Sequence, residues 1–180
     1  MLDMPVRFGV KWNTPMRGGL TIATADDAAA VAALRNAVAS ALTARHGTGH
    51  WSSVSTDKGV RSSMKGSSVY VTRDERRVIA ALTLATKKPS TIDRRCFTSV
   101  KRPLYLLGMA VDPARQGTGI GRKCLDEAVT ICRKWPADAL CLDAYDAEAG
   151  AGEFYRKCGF AEVGRAAYRG TSLIYFQMLV

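Results

Sequence analysis

From Leu104 to Lys123 the chain reads LYLLGMAVDPARQGTGIGRK. An apolar run, the most strand-like in the sequence, enters a loop with glycines at 117, 119 and 121, and the loop opens into an amphipathic pattern. In that pattern Ile120, Cys124, Ala128, Ile131, Cys132 and Trp135 recur at helical spacing, and Pro136 stops it. Strand, glycine loop and helix in that order form the grammar of an anion site. The first N–H groups of a helix lack intrahelical partners and carry partial positive charge, and glycines let a phosphate approach the backbone. The plainer reading is a tight strand-to-helix turn whose glycines serve only its dihedral angles.

Two specific phosphate motifs do not fit. A P-loop needs Lys followed by Ser or Thr after its last glycine, and here Arg122, Lys123 and Cys124 stand there. A dinucleotide fingerprint needs a third small residue where Arg122 stands. Asp143 ends the next strand at about the ~20-residue distance of that fingerprint's acidic residue. Yet a dinucleotide fold carries several further βα units behind this point, and only two short strands and a short helix follow Asp143.

The remaining elements are read from their periodicity. VRFGVKW alternates, with Val6, Phe8, Val10 and Trp12 on one side, and predicts a strand or packing arm. GGLTIAT predicts a short strand. ADDAAAVAALRNAVASALTARHG predicts a helix with Asp26 and Asp27 in its first turn, Val31, Leu34, Val38 and Leu42 on its apolar face, and Gly47 at its end. SSVSTDKGVRSSM is a weaker helix. SSVYVTRDERRVIAALTLAT predicts a hairpin turning at Arg73-Asp74-Glu75-Arg76. The polar, basic stretch KKPSTIDRRCFTSVKRP is too long for a tight turn and suits a cover over a site. ALCLDAY is a strand, AGAGEFYRKC a short helix closed by Gly159, and AEVGRAAY and SLIYFQMLV are two final strands, the last apolar on both faces and so interior. The order is β-α-α-β-β-β-α-β-α-β-β, without an internal repeat.

The 180 residues suit one domain, 1–180, with 1–19 as an N-terminal arm or extra strand. No run approaches the ~18 apolar residues of a membrane span, and MLDMPVRFGVKW lacks the core and cleavage site of a signal peptide. Five cysteines without a CxxC pair are expected to be free thiols in a reducing cytoplasm. Two histidines without converging cysteines give no expectation of metal. The net charge of +10 draws anions, but it is scattered in short pairs such as Arg94–Arg95 and Lys101–Arg102. Sequence-specific nucleic-acid binding and membrane binding are therefore not expected.

The spacing Gln116-x-x-Gly119-x-Gly121 after LGMAV, with FYRKCGF (Phe154 to Phe160) beyond the next strand, resembles the GNAT superfamily of acetyl-CoA-dependent N-acetyltransferases. Element order carries the resemblance from about Leu20 to Val180, and its motifs lie in Leu104–Lys123 and Ala151–Phe160. It implies an α/β (α+β) GNAT fold, with a central mixed, mostly antiparallel sheet of six to seven strands flanked by helices. It implies an acyltransferase moving acetyl from acetyl-CoA to a primary amine by direct attack in a ternary complex, without metal. By this resemblance Gln116, Gly117, Thr118, Gly119, Ile120, Gly121 and Arg122 hold the coenzyme A pyrophosphate, with Arg115, Arg122 and Lys123 as charge partners. Backbone groups of Met109, Ala110 and Val111 pair with the pantetheine arm, Phe154 and Tyr155 line the cofactor, and Tyr155 is the general acid. Where many members place a catalytic glutamate stands Tyr105, so the base is open among a water chain, a remote Asp or Glu, and an amine that arrives neutral. Glu148 stands where an asparagine often contacts pantetheine, with Asp146 as a substitute. His50, Trp51 and Tyr168, with His46, are candidates to line the acceptor pocket, and the acceptor itself is a small-molecule or peptide amine. Any oligomer is expected to be a homodimer through sheet edges or the arm. The missing glutamate keeps a rival open, a non-catalytic acyl-CoA-binding sensor domain.

Overall fold

The computed structural model describes residues 18–180; the VRFGVKW arm lies outside them. Seven strands form one sheet in the order β1-β2-β3-β4-β5-β7-β6. These are β1 (Thr21–Ile22), β2 (Ser68–Asp74), β3 (Arg77–Ala85), β4 (Pro103–Val111), β5 (Ala139–Tyr145), β6 (Ala161–Tyr168) and β7 (Thr171–Leu179). The helices are α1 (Ala28–His46), α2 (Asp57–Met64), α3 (Ile120–Lys134) and α4 (Gly152–Lys157). The element order is the expected one, and every neighbouring pair is antiparallel except β4–β5. The doubly apolar last strand is interior, between β5 and β6.

Alternation along the strands divides the core between two faces. On one face α3 and α4 cover Ile79, Leu82, Leu84, Leu104, Leu106, Leu140 and Leu142. On the other, α1 and α2 cover Val69, Val71, Val78, Ala81 and Ala110. Beyond α1 and α2 the second face is closed by residues 86–102, which pack Ile92, Phe97 and Val100 on Tyr105, Cys141, Leu173 and Tyr175. That segment is held by side chains. Gln177 brackets the Thr98 backbone, accepting from its N–H at 2.9 Å and donating to its carbonyl at 3.0 Å. The Tyr175 hydroxyl donates to the Thr91 carbonyl at 2.7 Å.

The expected face of α3 is buried at Ile120, Cys124, Ala128 and Cys132, and it is wider than expected. Leu125 and Val129 are buried, whereas Trp135 is 44% exposed. The helix ends at Lys134, so Trp135 sits on the cap beyond the last turn that the sheet covers.

Candidate active site

The site follows from how β4 meets β5. The two strands pair over three positions only, Pro103↔Ala139, Leu104↔Leu140 and Tyr105↔Cys141. Both then continue, β4 to Val111 and β5 to Tyr145, without pairing to each other. Their outer edges stay zipped to β3 and β7. The facing edges therefore diverge and leave a cleft through the middle of the sheet, lined by backbone groups with no ladder partner. Such an edge is a template for an extended ligand that adds as a strand.

A bulge in β4 lies within this stretch. Ala81 pairs with Ala110 and Thr83 with Leu107, so Gly108 and Met109 together oppose Leu82. Gly108 has φ +53°, the left-handed value that a glycine-headed bulge requires. The bulge turns backbone groups of β4 toward the cleft. Sequence reasoning passed over Gly108, although a lone glycine inside a strand pattern is itself a bulge signal.

At the far end of β4 the chain makes a single helical turn at Pro113–Arg115 and enters the glycine loop. Gly117 and Gly119 have φ +75° and +87°, and a Cβ added at either would meet nothing within 4 Å. The loop surface in front of them is thus open, as close approach of a ligand to backbone requires. The first helical bond runs from Lys123 N–H to Gly119 C=O at 3.0 Å. The N–H groups of Ile120, Gly121 and Arg122 precede it and have no intrahelical acceptor. Gly121 has a different role: its Cβ would lie 3.1 Å from the Phe154 ring, so its smallness seats α4 against the start of α3.

The other sequence-predicted residues are distributed as follows. Arg115 is paired with Asp74 at 2.6 Å, and Arg122 donates to the Lys157 carbonyl at 2.8 Å, tying the loop to α4. Gln116 donates through Nε2 to the Val111 carbonyl at 3.2 Å, fixing the loop to the strand that feeds it. Thr118 closes the loop on the Arg115 carbonyl. Met109 faces α3, close to Gly121, and Ala110 faces α1. Asp146 is paired with Arg165, and Glu148 faces His46 at 4.0 Å.

Of the two aromatics of α4, Tyr155 is the more deeply buried. Tyr155 is 6% exposed, its ring among Phe154, Phe160 and Phe176, whereas Phe154 is half-buried over Gly121. Burial raises the Tyr155 phenol far above its ordinary value, and the nearby Asp143 carboxylate raises it further. The phenol is therefore a proton holder at neutral pH. Tyr105 is also buried, at the last paired position before the strands part. With Cys141 it lines a cavity of about 50 Å³ beneath residues 86–102.

Asp143 is the residue that the structure adds. Along β5, Leu140, Leu142 and Ala144 face α3 and α4, while Cys141 and Tyr145 face the other way. Asp143 shares the latter face, past the point where β4 leaves. Its Oδ1 accepts from the Thr91 hydroxyl at 2.9 Å. Burial raises its pKa, opposed by that hydrogen bond. A half-buried carboxylate beside the cleft, with its proton affinity raised, has the properties of a general base. Tyr155 lies on the opposite face of the sheet, in the cluster beneath α3 and α4, near enough for the Asp143 charge to act on it.

His50 and Trp51 come to the rim of this cleft. The His50 ring stacks on Tyr145 at 6.4 Å, Trp51 meets the same ring edge-on at 6.1 Å, and the Tyr145 hydroxyl donates to the His50 carbonyl. Tyr168 joins the same side of the sheet from β6, with Arg169 over its ring. Thiol chemistry is not prepared here: burial pushes Cys132 and Cys141 up to about 11, away from the thiolate. Among the described residues no group of three or more metal-ligating side chains converges, and no helix is long and apolar enough to cross a membrane.

Known structures share this fold. A ribosomal-protein-alanine N-acetyltransferase from Brucella melitensis aligns over 89% of this chain and 99% of its own, at 20% identity and a TM-score of 0.66. The ribosomal-protein-S18-alanine N-acetyltransferase of Escherichia coli aligns over 90% and 93%, at 16% identity and a TM-score of 0.67. The yncA structure from Salmonella typhimurium, solved with its cofactor acetyl-CoA, aligns over 90% and 93%, at 17% identity and a TM-score of 0.64. These likenesses establish the fold. No curated protein matches the sequence. A family model for the acetyltransferase (GNAT) domain matches residues 65–162, more than half of the chain, from the end of α2 through the cleft strands, the glycine loop and α4. The chain is therefore an acyltransferase that belongs to the GNAT acetyltransferase family.

Proposed function

We propose that this chain transfers the acetyl group of acetyl-CoA to a primary amine by direct attack in a ternary complex. The observation that carries the reading is the β4–β5 cleft with Asp143 on one face and Tyr155 on the other. Acetyl-CoA supplies an acyl thioester. The open loop at Gly117–Gly119 and the unpaired N–H groups of Ile120, Gly121 and Arg122 suit its pyrophosphate, and the free edge of β4 suits its extended arm. The Gly108–Met109 bulge aims backbone N–H groups where negative charge develops on a carbonyl oxygen.

The amine must lose a proton and the departing sulfur must gain one. Asp143 takes the first, directly or through a water; its raised pKa makes it a stronger base than an exposed carboxylate. Tyr155 gives the second, since a buried phenol holds its proton at neutral pH. Both groups return to their starting states by exchange with solvent. Asp143 also answers the main argument for a non-catalytic sensor, the missing carboxylate on β4. The acceptor enters from the face of α1, where His50, Trp51 and Tyr145 form the rim.

The test is release of free thiol from acetyl-CoA over a panel of primary amines, with calorimetry of acetyl-CoA alone. Release with at least one amine, greatly slowed in Asp143→Asn, is the expected result. Acetyl-CoA binding without release on any amine would leave an acyl-CoA-binding domain instead.

A further inference from the structure

Arg35 lies on the buried stripe of α1, one turn on from Val31 and Ala32. Helical spacing thus points it at the sheet. Its stem crosses apolar surface, and its guanidinium comes to rest against the β4 bulge. A Cβ added at Gly108 would meet Arg35 Nη2 at 2.8 Å and Cζ at 3.1 Å. Nη2 donates to the Thr83 hydroxyl at 3.0 Å, and Nε is buried without a partner. Among the described residues no carboxylate lies within ion-pair distance of it. Other arginines of this half of the sheet are matched: Arg73 with Asp27, Arg77 with Asp112, Arg115 with Asp74. Gly108 itself is exposed and Arg35 only partly buried, so the bulge on which the guanidinium rests is open to solvent.

A half-buried positive charge without a counter-charge is costly to keep. Burial accordingly lowers the Arg35 pKa, yet a guanidinium does not shed its proton in a protein. The charge stands on the α1 face of the sheet, opposite the face that α3 covers, and on the transferase reading above this is the side from which the acceptor enters. A single planar cation matches a planar monoanion, and a guanidinium and a carboxylate share fork geometry. A phosphate, with close to two charges, would ask for more than one cation.

We infer that the acceptor carries a carboxylate within a few bonds of its reacting amine, held by Arg35 over the β4 bulge while the amine faces Asp143. The substrate class is then free amino acids or amino-acid-like molecules rather than simple amines. This rests on the transferase reading above, and it makes Arg35 a specificity residue.

The experiment compares matched acceptors: a set of amino acids and the carboxamide of each, assayed by thiol release from acetyl-CoA. The amine of an amide loses its proton more readily, so a preference for the acid cannot arise from basicity. With the native chain, kcat/KM is expected to favour the best acid over its amide by at least about tenfold, the value of a charge-assisted hydrogen bond. Arg35→Gln should bring the two within about twofold, chiefly through KM of the acid, and Arg35→Lys should restore part of the gap. Equal or better use of the amide by the native chain would overturn the inference and leave the transferase reading standing. So would an Arg35→Gln variant that lowers acid and amide by the same factor, as a purely structural role predicts. No release with either series, from a chain that releases thiol with other primary amines, would overturn the inference alone, whereas no release with any amine despite acetyl-CoA binding by calorimetry would overturn both. The native matched pairs decide the question even if the variants fold poorly.

Discussion

The glycine loop at residues 116–121 and the cover segment at 86–102 are both irregular, and both border the cleft, but they are built by opposite means. The loop is short, and what it offers is backbone: open glycines and helix-start N–H groups. Its side chains mostly hold the loop itself, as Gln116 does on Val111 and Thr118 on Arg115. The cover offers side chains and is held by them over long separations. Gln177 grips Thr98, Tyr175 grips Thr91, and Thr91 in turn grips Asp143. A ligand common to a whole family can be read by backbone, which every sequence has. An acceptor particular to one chain must be read by side chains, which differ.

That contrast can be broken at several points. The largest effect is expected at Asp143. Asp143→Asn keeps an acceptor for the Thr91 hydroxyl but removes the proposed base, so turnover should fall by about 10²–10⁴-fold with acetyl-CoA affinity little changed. Burial raises the folded pKa of Asp143 above its unfolded value. Its ionised form therefore opposes folding, and stability present below the unfolded pKa is lost as pH rises through the folded one. Asp143→Asn should then raise Tm at neutral pH while abolishing most activity. In the native enzyme kcat/KM should climb as pH rises through the same ionisation, and a Tm that falls in the variant would refute this account of the site.

Tyr155→Phe comes next. The ring and its contacts with Phe160 and Phe176 stay, and only the donor goes. Steady-state kinetics should show turnover lower by ~10²-fold with unchanged acetyl-CoA affinity. Native turnover in this variant would reduce Tyr155 to packing.

On the loop, Gly119→Val places a branched side chain at φ +87° and in the open space before the amides. Acetyl-CoA affinity measured by calorimetry should drop by about 100-fold through blocked approach to the amides, while strain of ~1–2 kcal/mol at that φ lowers Tm. Unchanged affinity would remove the loop from donor binding.

The smallest effect tests the cover. Gln177 is buried and makes two hydrogen bonds to Thr98, so Gln177→Leu should cost about 1–3 kcal/mol in denaturant unfolding. The acceptor KM should rise severalfold while acetyl-CoA binding holds. Loss of both bindings together would mean that the two regions are not separable.

Much of this was legible from residue order. The hairpin turn, the interior last strand and the glycine loop announce themselves within windows of ten to twenty residues, because each depends on local dihedrals or on alternation along one strand. Even so, α3 buries Leu125 and Val129 beside the expected residues and leaves Trp135 exposed, since periodicity gives a face but neither its width nor where the sheet beneath it ends. Asp143 could be seen in the sequence only as a poor match to a dinucleotide motif. Its meaning depends on β4 parting from β5 two residues earlier and on Thr91 reaching it from 52 positions away.

The sequence by itself determined the element order, the family and the backbone anion loop, because those rest on interactions between near neighbours in the chain. Only the tertiary structure decided which residues meet at the cleft. The divergence of β4 and β5, the placing of Asp143 and Tyr155 on opposite faces of the sheet, and the unpaired charge of Arg35 on Gly108 join residues from different elements. Their burial, and hence their protonation and their need for partners, exists only once the sheet has brought them together.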